Sequence, residues 1–477
     1  MAYRRAPLRR GGADAARDPD PHQGGEFVRP TGIVFFPAFD WAISPTHPER
    51  EERLLYTRDQ IFEEGLLDLP GIREFSPRLA SFLDVARVHF CVPHVRDRVR
   101  DAHLIAAGAC LVLADCIMSG EVRNAFALVR PPGHHAMRVV HGNRGFCNIN
   151  NEAIAIEYLR RRYGVRRIAV VDSDVHHGDG TQDIFYHDPD VLCISFHQDG
   201  RTLYPGTGFT HELGGPGAYL RTINVPLPPG TTDEGLHYVL DNLVLPVLRD
   251  FQPELIINSA GQDNHYTDPL ANMRATARGY ADLTAKLKPH LAVLEGGYAI
   301  ESALPYVNMA ILLALAGYDY GGVREPGYRP GMLAESPEVT AQVRRVVEEL
   351  RERWENRHRV DIEALFGKDR FYERQKFVYY DTDDIREFQL ERVRRCPDCP
   401  GYLTVASTAR HPGGRQYQIC GVSIPVGACE ECYGEGYATF EAARRAGDYS
   451  HVYLQDKATD VFRAYDTETR ELLEWEG

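Results

Sequence analysis

Along the first three hundred residues, short runs of aliphatic and β-branched side chains recur, each ending in a cluster of polar groups. The runs are Gly32–Phe36, Ala125–Val129, Ile168–Val171, Val191–Phe196, Leu255–Asn258 and Leu291–Leu294. They are short, apolar and β-branched, which predicts buried strands. Between them lie helical segments: one from about Glu51, after the turn-rich Ser44–Arg50, and an Ala/Leu-rich one over Ala102–Met118. Strands alternating with helices predict a parallel α/β sheet. In such sheets the ligand crevice lies beyond the C-terminal strand ends, so the polar clusters should meet on one edge. A Gly/Pro-rich stretch, Gly317–Gly331, closes this region. Ser336-Pro337 then opens a helix, with Ser as N-cap and Pro at the first helical position. Val339, Val343, Val346, Val347, Leu350 and Trp354 repeat at helical spacing, so one face of that helix packs, most simply back onto the α/β region. From about residue 385 the composition changes, and two Cys-x-x-Cys pairs appear.

The stretch Val170–Gly180 concentrates the chemistry. In an extended chain, Asp172, Asp174 and His176 point to one side. Two carboxylates and an imidazole suit a divalent metal such as zinc or ferrous iron. A solvated histidine pair in an acidic turn is the plain alternative. A catalytic zinc needs three protein ligands and an open position, and Asp263, past another strand end, is the natural third. Two carboxylate ligands acidify a bound water less than histidines would, which makes a separate general base useful. His134-His135 offers one, with Asp172 and Asp179 as carboxylates to orient it, although the pair also fits a simple turn after two prolines. Tyr298, after two glycines, could donate to a developing oxyanion or simply pack. Arg53, early in its helix, reads most simply as a solvated charge. Metal, base and oxyanion donor together describe metal-assisted amide hydrolysis.

Length and charge narrow the setting. A chain of 477 residues predicts two domains. With 43% hydrophobic and 26% charged residues and no apolar run seen near membrane-spanning length, a soluble protein without membrane contact is expected. The arginine-rich N-terminus, residues 1–26, reads as a disordered basic arm rather than a secretory signal. The net charge of -14 argues against broad nucleic-acid binding and mildly for cationic substrates. Ten cysteines show no secreted disulfide pattern, which favours a reducing cytoplasm.

These residues resemble the histone deacetylase family, particularly its class II, bacterial deacetylase-like and acetylpolyamine amidohydrolase members. The resemblance covers roughly residues 30–360. It rests on Arg130-Pro-Pro-Gly-His-His-Ala136, Gly145-Phe-Cys-Asn148, the Asp172–Gly180 stretch, Tyr204-Pro-Gly-Thr-Gly208, Ala260-Gly-Gln-Asp263, Asp268-Pro-Leu270 and Glu295-Gly-Gly-Tyr298. It implies an arginase-like three-layer α/β fold with a mostly parallel sheet, and zinc on Asp174, His176 and Asp263. By the same matching, His135 would be general base and acid, paired with Asp179. His134 would be an electrostatic partner paired with Asp172, and Tyr298 would polarise the acetyl carbonyl. Phe146 and Tyr204 would wall an acyl-lysine tunnel with Leu270 near its rim, and Arg53 would be a buried arginine at its foot. Potassium would bind beside the zinc, using Asp172, the backbone at Asp174 and His176, and Ser195. Ser173 and Gln262 depart from the family pattern beside the ligands, and His265-Tyr266 is expected near the tunnel mouth.

Cys396, Cys399, Cys429 and Cys432 resemble a zinc ribbon, since four thiolates at that spacing close around structural zinc. The 29 residues between the pairs imply an enlarged hairpin. The expected domains are therefore a catalytic unit over 27–360 and a small zinc-ribbon-like domain over 385–477, the one place where nucleic acid or a protein partner could dock. The implied activity is removal of acetyl groups from lysine side chains of proteins or peptides. Small acetylated amines are the alternative substrate, and an acyl-binding module without turnover the alternative class. The complete ligand, base and tyrosine set favours the enzyme.

Overall fold

The structure, a computed structural model, describes residues 29–44 and 46–477, so the expected basic arm lies outside the described residues. Ten strands precede the Gly/Pro-rich stretch: β1 (Thr31–Phe36), β2 (Ile72–Glu74), β3 (Phe90–Cys91), β4 (Asn124–Val129), β5 (Val139–Val140), β6 (Ile168–Asp172), β7 (Val191–Gln198), β8 (Thr222–Leu227), β9 (Leu255–Ser259) and β10 (Leu291–Val293). Eight of them form one sheet in the order β2-β1-β4-β10-β9-β6-β7-β8, every pair parallel, while β3 and β5 pair separately.

Strand alternation sorts side chains into two cores. Ala125, Ala127, Ile168 and Val170 face the layer containing helices Asp101–Met118 and Asn151–Tyr163. Phe126, Leu128, Ala169 and Val171 face the layer containing Ala277–Leu287, Leu304–Ala316 and Pro337–Glu355. Both faces of the sheet are thus covered, which is why its strands read as continuous apolar runs rather than alternating ones. The Ser336 hydroxyl accepts from Val339 N, and Val343, Val347, Leu350 and Trp354 are buried in the second core. Helix Asp101–Met118 is long and apolar enough to cross a membrane by length and composition, contrary to the expectation above. It is mostly buried within the fold as a core helix.

A second sheet follows: β11 (Phe371–Tyr380), β12 (Ile385–Arg394), β13 (Leu403–Arg410), β14 (Gln416–Ile424), β15 (His451–Asp456), β16 (Val461–Asp466) and β17 (Leu472–Glu476), side by side in chain order. Neighbours are antiparallel except β14 and β15, whose parallel pairing is bridged by helix Glu430–Ala446. The sheet begins at Phe371, ahead of the boundary expected near 385, and is much larger than a ribbon. The paired cysteines occupy one end of it, Cys396 and Cys399 after β12, Cys429 and Cys432 at the start of the helix. The β13–β14 hairpin lies between them.

This sheet shares a core with the first unit. Phe90, Val92 and Val139 pack with Val393, Val405, Tyr417, Ile419 and Tyr453, and Met137 packs with Val378, Tyr380 and Ile385. A Cβ on Gly421 would lie 2.5 Å from the Phe90 ring, so only glycine admits this approach. Charged groups also meet here in pairs. Arg87 makes two bonds to Asp460 at 2.8 and 2.7 Å, Lys457 reaches Glu157 at 2.8 Å, and Lys376 pairs with Asp183 and Glu391. Removing one side would expose the apolar patch and leave buried charges unpaired. Deleting residues 361–477 should therefore give insoluble or aggregated protein in expression and size-exclusion tests. A monodisperse, folded 1–360 fragment would show the two units to be independent.

Candidate active site

Strand β6 ends at Asp172 and does not run extended to His176 as the alternation argument assumed. The chain turns instead, and carboxylates hold the turn. Asp172 Oδ1 accepts from Asp174 N at 3.0 Å, Asp174 Oδ1 from His176 N at 2.8 Å, and Asp263 Oδ1 from Val175 N at 2.9 Å. The first two are local Asx bonds, and the third ties Asp263 into the same turn. Gly178 has φ -73°, so its need is space rather than a left-handed turn: a Cβ there would lie 1.9 Å from Asp172 Oδ2.

Asp174, His176 and Asp263 are all buried, and their donor atoms lie within 4.8 Å of one another. His176 Nδ1 is 3.1 Å from Asp174 Oδ1 and 3.0 Å from Asp263 Oδ2, and that last oxygen has no hydrogen-bond donor. Burial and the Asp174 charge push the Asp263 carboxyl up, whereas Asp174, despite its burial, is held low by His134 and His176. Two crowded carboxylates with an undonated buried oxygen fit a divalent cation, and one carboxylate–imidazole–carboxylate set suits zinc. Gly296 completes the cradle: its N–H donates to Asp174 Oδ2 at 2.6 Å, and a Cβ would lie 2.0 Å from Asp263 Oδ2.

The two histidines carry different partners. His134 Nδ1 is 3.1 Å from Asp172 Oδ2, and His135 Nδ1 is 2.8 Å from Asp179 Oδ1. Burial alone would lower both. For His134 the charges of Asp174 and Asp172 win and hold it well above the usual imidazole range. For His135 burial and the neighbouring His134 win, and it falls to about 3. Burial and their carboxylate neighbours thus push the two imidazoles in opposite directions. Arg144, which the motif reading passed over, clamps Asp179 at 2.7 and 2.5 Å and holds it ionised against its burial. Directly before the Gly145-Phe146 pair, it gave no separate signal in sequence.

Tyr298 lies at the end of the Glu295–Gly297 turn, where Gly297 has φ 123°. Its ring meets Phe146 edge-on at 5.4 Å between centroids, and Tyr204 meets His135 at 5.2 Å. Burial, partly opposed by Arg53, raises the Tyr298 phenol well above its usual value, so it stays a proton donor. Arg53 is fully buried rather than a solvated helix charge. It donates to Gly297 O at 2.9 Å and to Glu295 O, pairs with Glu49 at 2.8 Å, and lies 5.0 Å over the Tyr298 ring. Arg130 binds the same Glu49 at 2.6 Å. Asp268 directs Oδ2 to Tyr298 N at 2.7 Å and Oδ1 to Leu270 N at 2.9 Å, so it braces the turn, with Leu270 half-buried beside it.

The departures from the family pattern are wired into the scaffold. Ser173 Oγ donates to Ser259 O and accepts from Asn258; Gln262 bonds Asn308, which reaches Thr57. His265, expected near the mouth, is buried and bound to Glu325 at 3.1 Å. Ser195 Oγ bonds His197 Nδ1 at 2.9 Å and, with Asp172, Thr181 and Asn224, lines a small cavity behind the histidines. At the far end of the second sheet, Cys396, Cys399, Cys429 and Cys432 bring four sulfurs within 4.8 Å of one another, and Gly401 N donates to Cys399 Sγ at 3.3 Å.

Residues 92–314 match the histone deacetylase domain model. A probable deacetylase of Archaeoglobus fulgidus is 45% identical over 333 residues, covering 64% of this chain and 91% of that protein. The polyamine deacetylase HDAC10 of Danio rerio is 36% identical over 270 residues, covering 54% of this chain but 38% of its own length. Among solved structures, the HDA15 HD domain superposes with a TM-score of 0.60 at 30% identity, covering 69% of this chain and 96% of that domain. Asp174→Ala or Asp263→Ala should each lose one tightly held divalent ion per chain while the fold persists. Unchanged metal by elemental analysis in both variants would refute the ligand set.

Proposed function

The chain belongs to the histone deacetylase family, and on that premise we propose that it hydrolyses the acetyl amide of lysine side chains on proteins or peptides, releasing acetate. The observation that carries the reading is geometric: His134 on Asp172 and His135 on Asp179 stand beside the buried Asp174–His176–Asp263 cluster. A zinc ion bound there would polarise the amide carbonyl and acidify a water. His135, with Nδ1 committed to Asp179, has Nε2 free to take the proton from that water as it adds to the carbonyl carbon. The same Nε2 then delivers the proton to the amine nitrogen as the C–N bond breaks, so water is divided between acetate and free amine. Tyr298 donates its hydroxyl proton in a hydrogen bond to the developing oxyanion, and Arg53 fixes the turn that aims it. His134, held by its bond to Asp172, faces the site as an electrostatic partner and exchanges no proton with the substrate.

Phe146 and Tyr204 give the approach two aromatic walls, which favour a neutral acylated chain over a charged amine. Asp268, whose two oxygens serve backbone N–H groups, is unavailable to a distal ammonium. This supports acetyl-lysine over acetylpolyamines. The second reading, small acetylated amines, is favoured by a carboxylate from the second sheet, Asp381, which lies 3.0 Å from Tyr204 Oη. A structural zinc on the four cysteines is supported by their sulfur cluster and the Gly401 N–H, and a potassium ion by the Asp172–Ser195 cavity. The six cysteines outside that sulfur cluster, all buried as free thiols, support a reducing, cytoplasmic setting.

His135→Ala should reduce turnover by about 10²–10⁴ as a lost general base, and Tyr298→Phe by about 10²–10³ as a lost oxyanion donor, both retaining metal. Near-normal turnover in Tyr298→Phe would make this tyrosine a packing residue. For substrate, kcat/KM on an acetyl-lysine peptide should exceed that on acetylputrescine and acetylspermidine. A polyamine preference beyond about tenfold, roughly 1.4 kcal/mol of transition-state binding, would overturn the lysine reading and leave the hydrolysis standing.

A further inference from the structure

The turn between β11 and β12 carries Asp381, Thr382, Asp383 and Asp384, well outside the matched deacetylase domain. It reaches across to the loop 142–146 of the first unit. Asp383 Oδ2 accepts from Asn143 N at 2.6 Å, and a Cβ on Gly142 would lie 2.3 Å from that oxygen. Asp381 Oδ1 accepts twice, from Gly145 N at 2.9 Å and from Tyr204 Oη at 3.0 Å.

Those contacts fall on a loop with two tasks. Arg144 clamps Asp179, which orients His135, and Phe146 forms one aromatic wall. Gly145 has φ 52° and Phe146 φ 69°. Phenylalanine rarely adopts that left-handed conformation, so the surrounding structure must impose it. Asp381 is placed to do so, because it fixes the N–H immediately before Phe146. Its same oxygen holds the hydroxyl of Tyr204, the second aromatic that the deacetylase reading assigns to the tunnel.

We propose that Asp381 is a positioning residue of the acyl tunnel, setting the two aromatic walls relative to each other from the second sheet. The proposal rests on the deacetylase reading of the site. It requires only the lone pairs of one oxygen, since both bonds fall on Oδ1, and Oδ2 makes none among the described residues. An asparagine keeps the same carbonyl acceptor, whereas alanine removes it. The rival role, reading the positive charge of a polyamine, requires the ionic charge and would be lost in both.

The test uses full-length, metal-loaded protein and two readouts: affinity for a linear alkyl hydroxamate, and kcat and KM on an acetyl-lysine peptide and acetylputrescine. Asp381→Asn should stay within about threefold of native on every readout. Asp381→Ala should weaken hydroxamate binding and raise KM by about tenfold for both substrates alike, with metal content unchanged. Tyr204→Phe removes the same bond from the other side, keeping the ring, and should be non-additive with Asp381→Ala in hydroxamate affinity. If Asp381→Ala misfolds, Asp381→Asn and Tyr204→Phe still decide the matter. A loss in Asp381→Asn confined to acetylputrescine, or native affinity in both Asp381→Ala and Tyr204→Phe, would overturn the proposal. A native chain that neither binds hydroxamate nor releases acetate would defeat the deacetylase reading itself, an outcome visible before any variant is compared.

Discussion

The structure is governed by the burial of carboxylates at the C-terminal edge of a parallel sheet. Asp172, Asp174, Asp263, Asp268 and Glu295 all lie within that edge, none more than 7% exposed. Buried like charges are costly unless paired, bonded or neutralised, and each remedy is present. Backbone N–H groups of Asp174, His176, Val175 and Gly296 donate to three of them. Against its burial, Asp174 and Asp172 beside it push the His134 imidazole well above the usual range. Burial first, with Asp263 close by, pushes Asp268 up to about 7, and burial likewise takes Glu295 to about 7. What those remedies leave is the Asp174–His176–Asp263 cluster with one undonated oxygen, the place for a divalent cation.

The positions of the other active-site groups follow from that crowding. Glycines at 178 and 296 stand where any side chain would enter a carboxylate. Arg53 and Arg130 share Glu49 beneath the turn that carries Tyr298, so that turn rests on a buried ion-pair network. The loop carrying Arg144 and Phe146 is bonded from the second sheet, through Asp381 and Asp383. The strand-end cluster and the loop bonded from the second sheet are thus joined by packing and hydrogen bonds.

The first sheet was legible because its strands are covered on both faces, so unbroken apolar runs marked six of its members and the polar clusters after them marked the site. The ligands, the base pair and Tyr298 stand at those strand ends. The means of convergence was not legible, since a period-two argument cannot foresee Asx turns at Asp172 and Asp174. The second sheet was missed for a different reason. The face of β12 turned inward carries Ile385, Glu387, Gln389, Glu391 and Val393, while Phe388 and Leu390 lie on the other face. Its buried acids are matched by residues distant in sequence, Glu387 by His141 and Glu391 by Lys376 and His187. Without those partners in view the strand reads as amphipathic in the wrong sense. Arg53 misled in the same way, because its buried partner Glu49 and its acceptors at 295 and 297 are visible only after folding.

The central claim is that carboxylate crowding at the sheet edge creates a metal site competent for amide hydrolysis. Diffraction from crystals of the native protein, recorded on both sides of the zinc absorption edge, tests it most directly. The account predicts an anomalous peak bounded by Asp174, His176 and Asp263, facing His135 and Tyr298. A clean map with no peak there, from protein that hydrolyses acetyl-lysine, would contradict it.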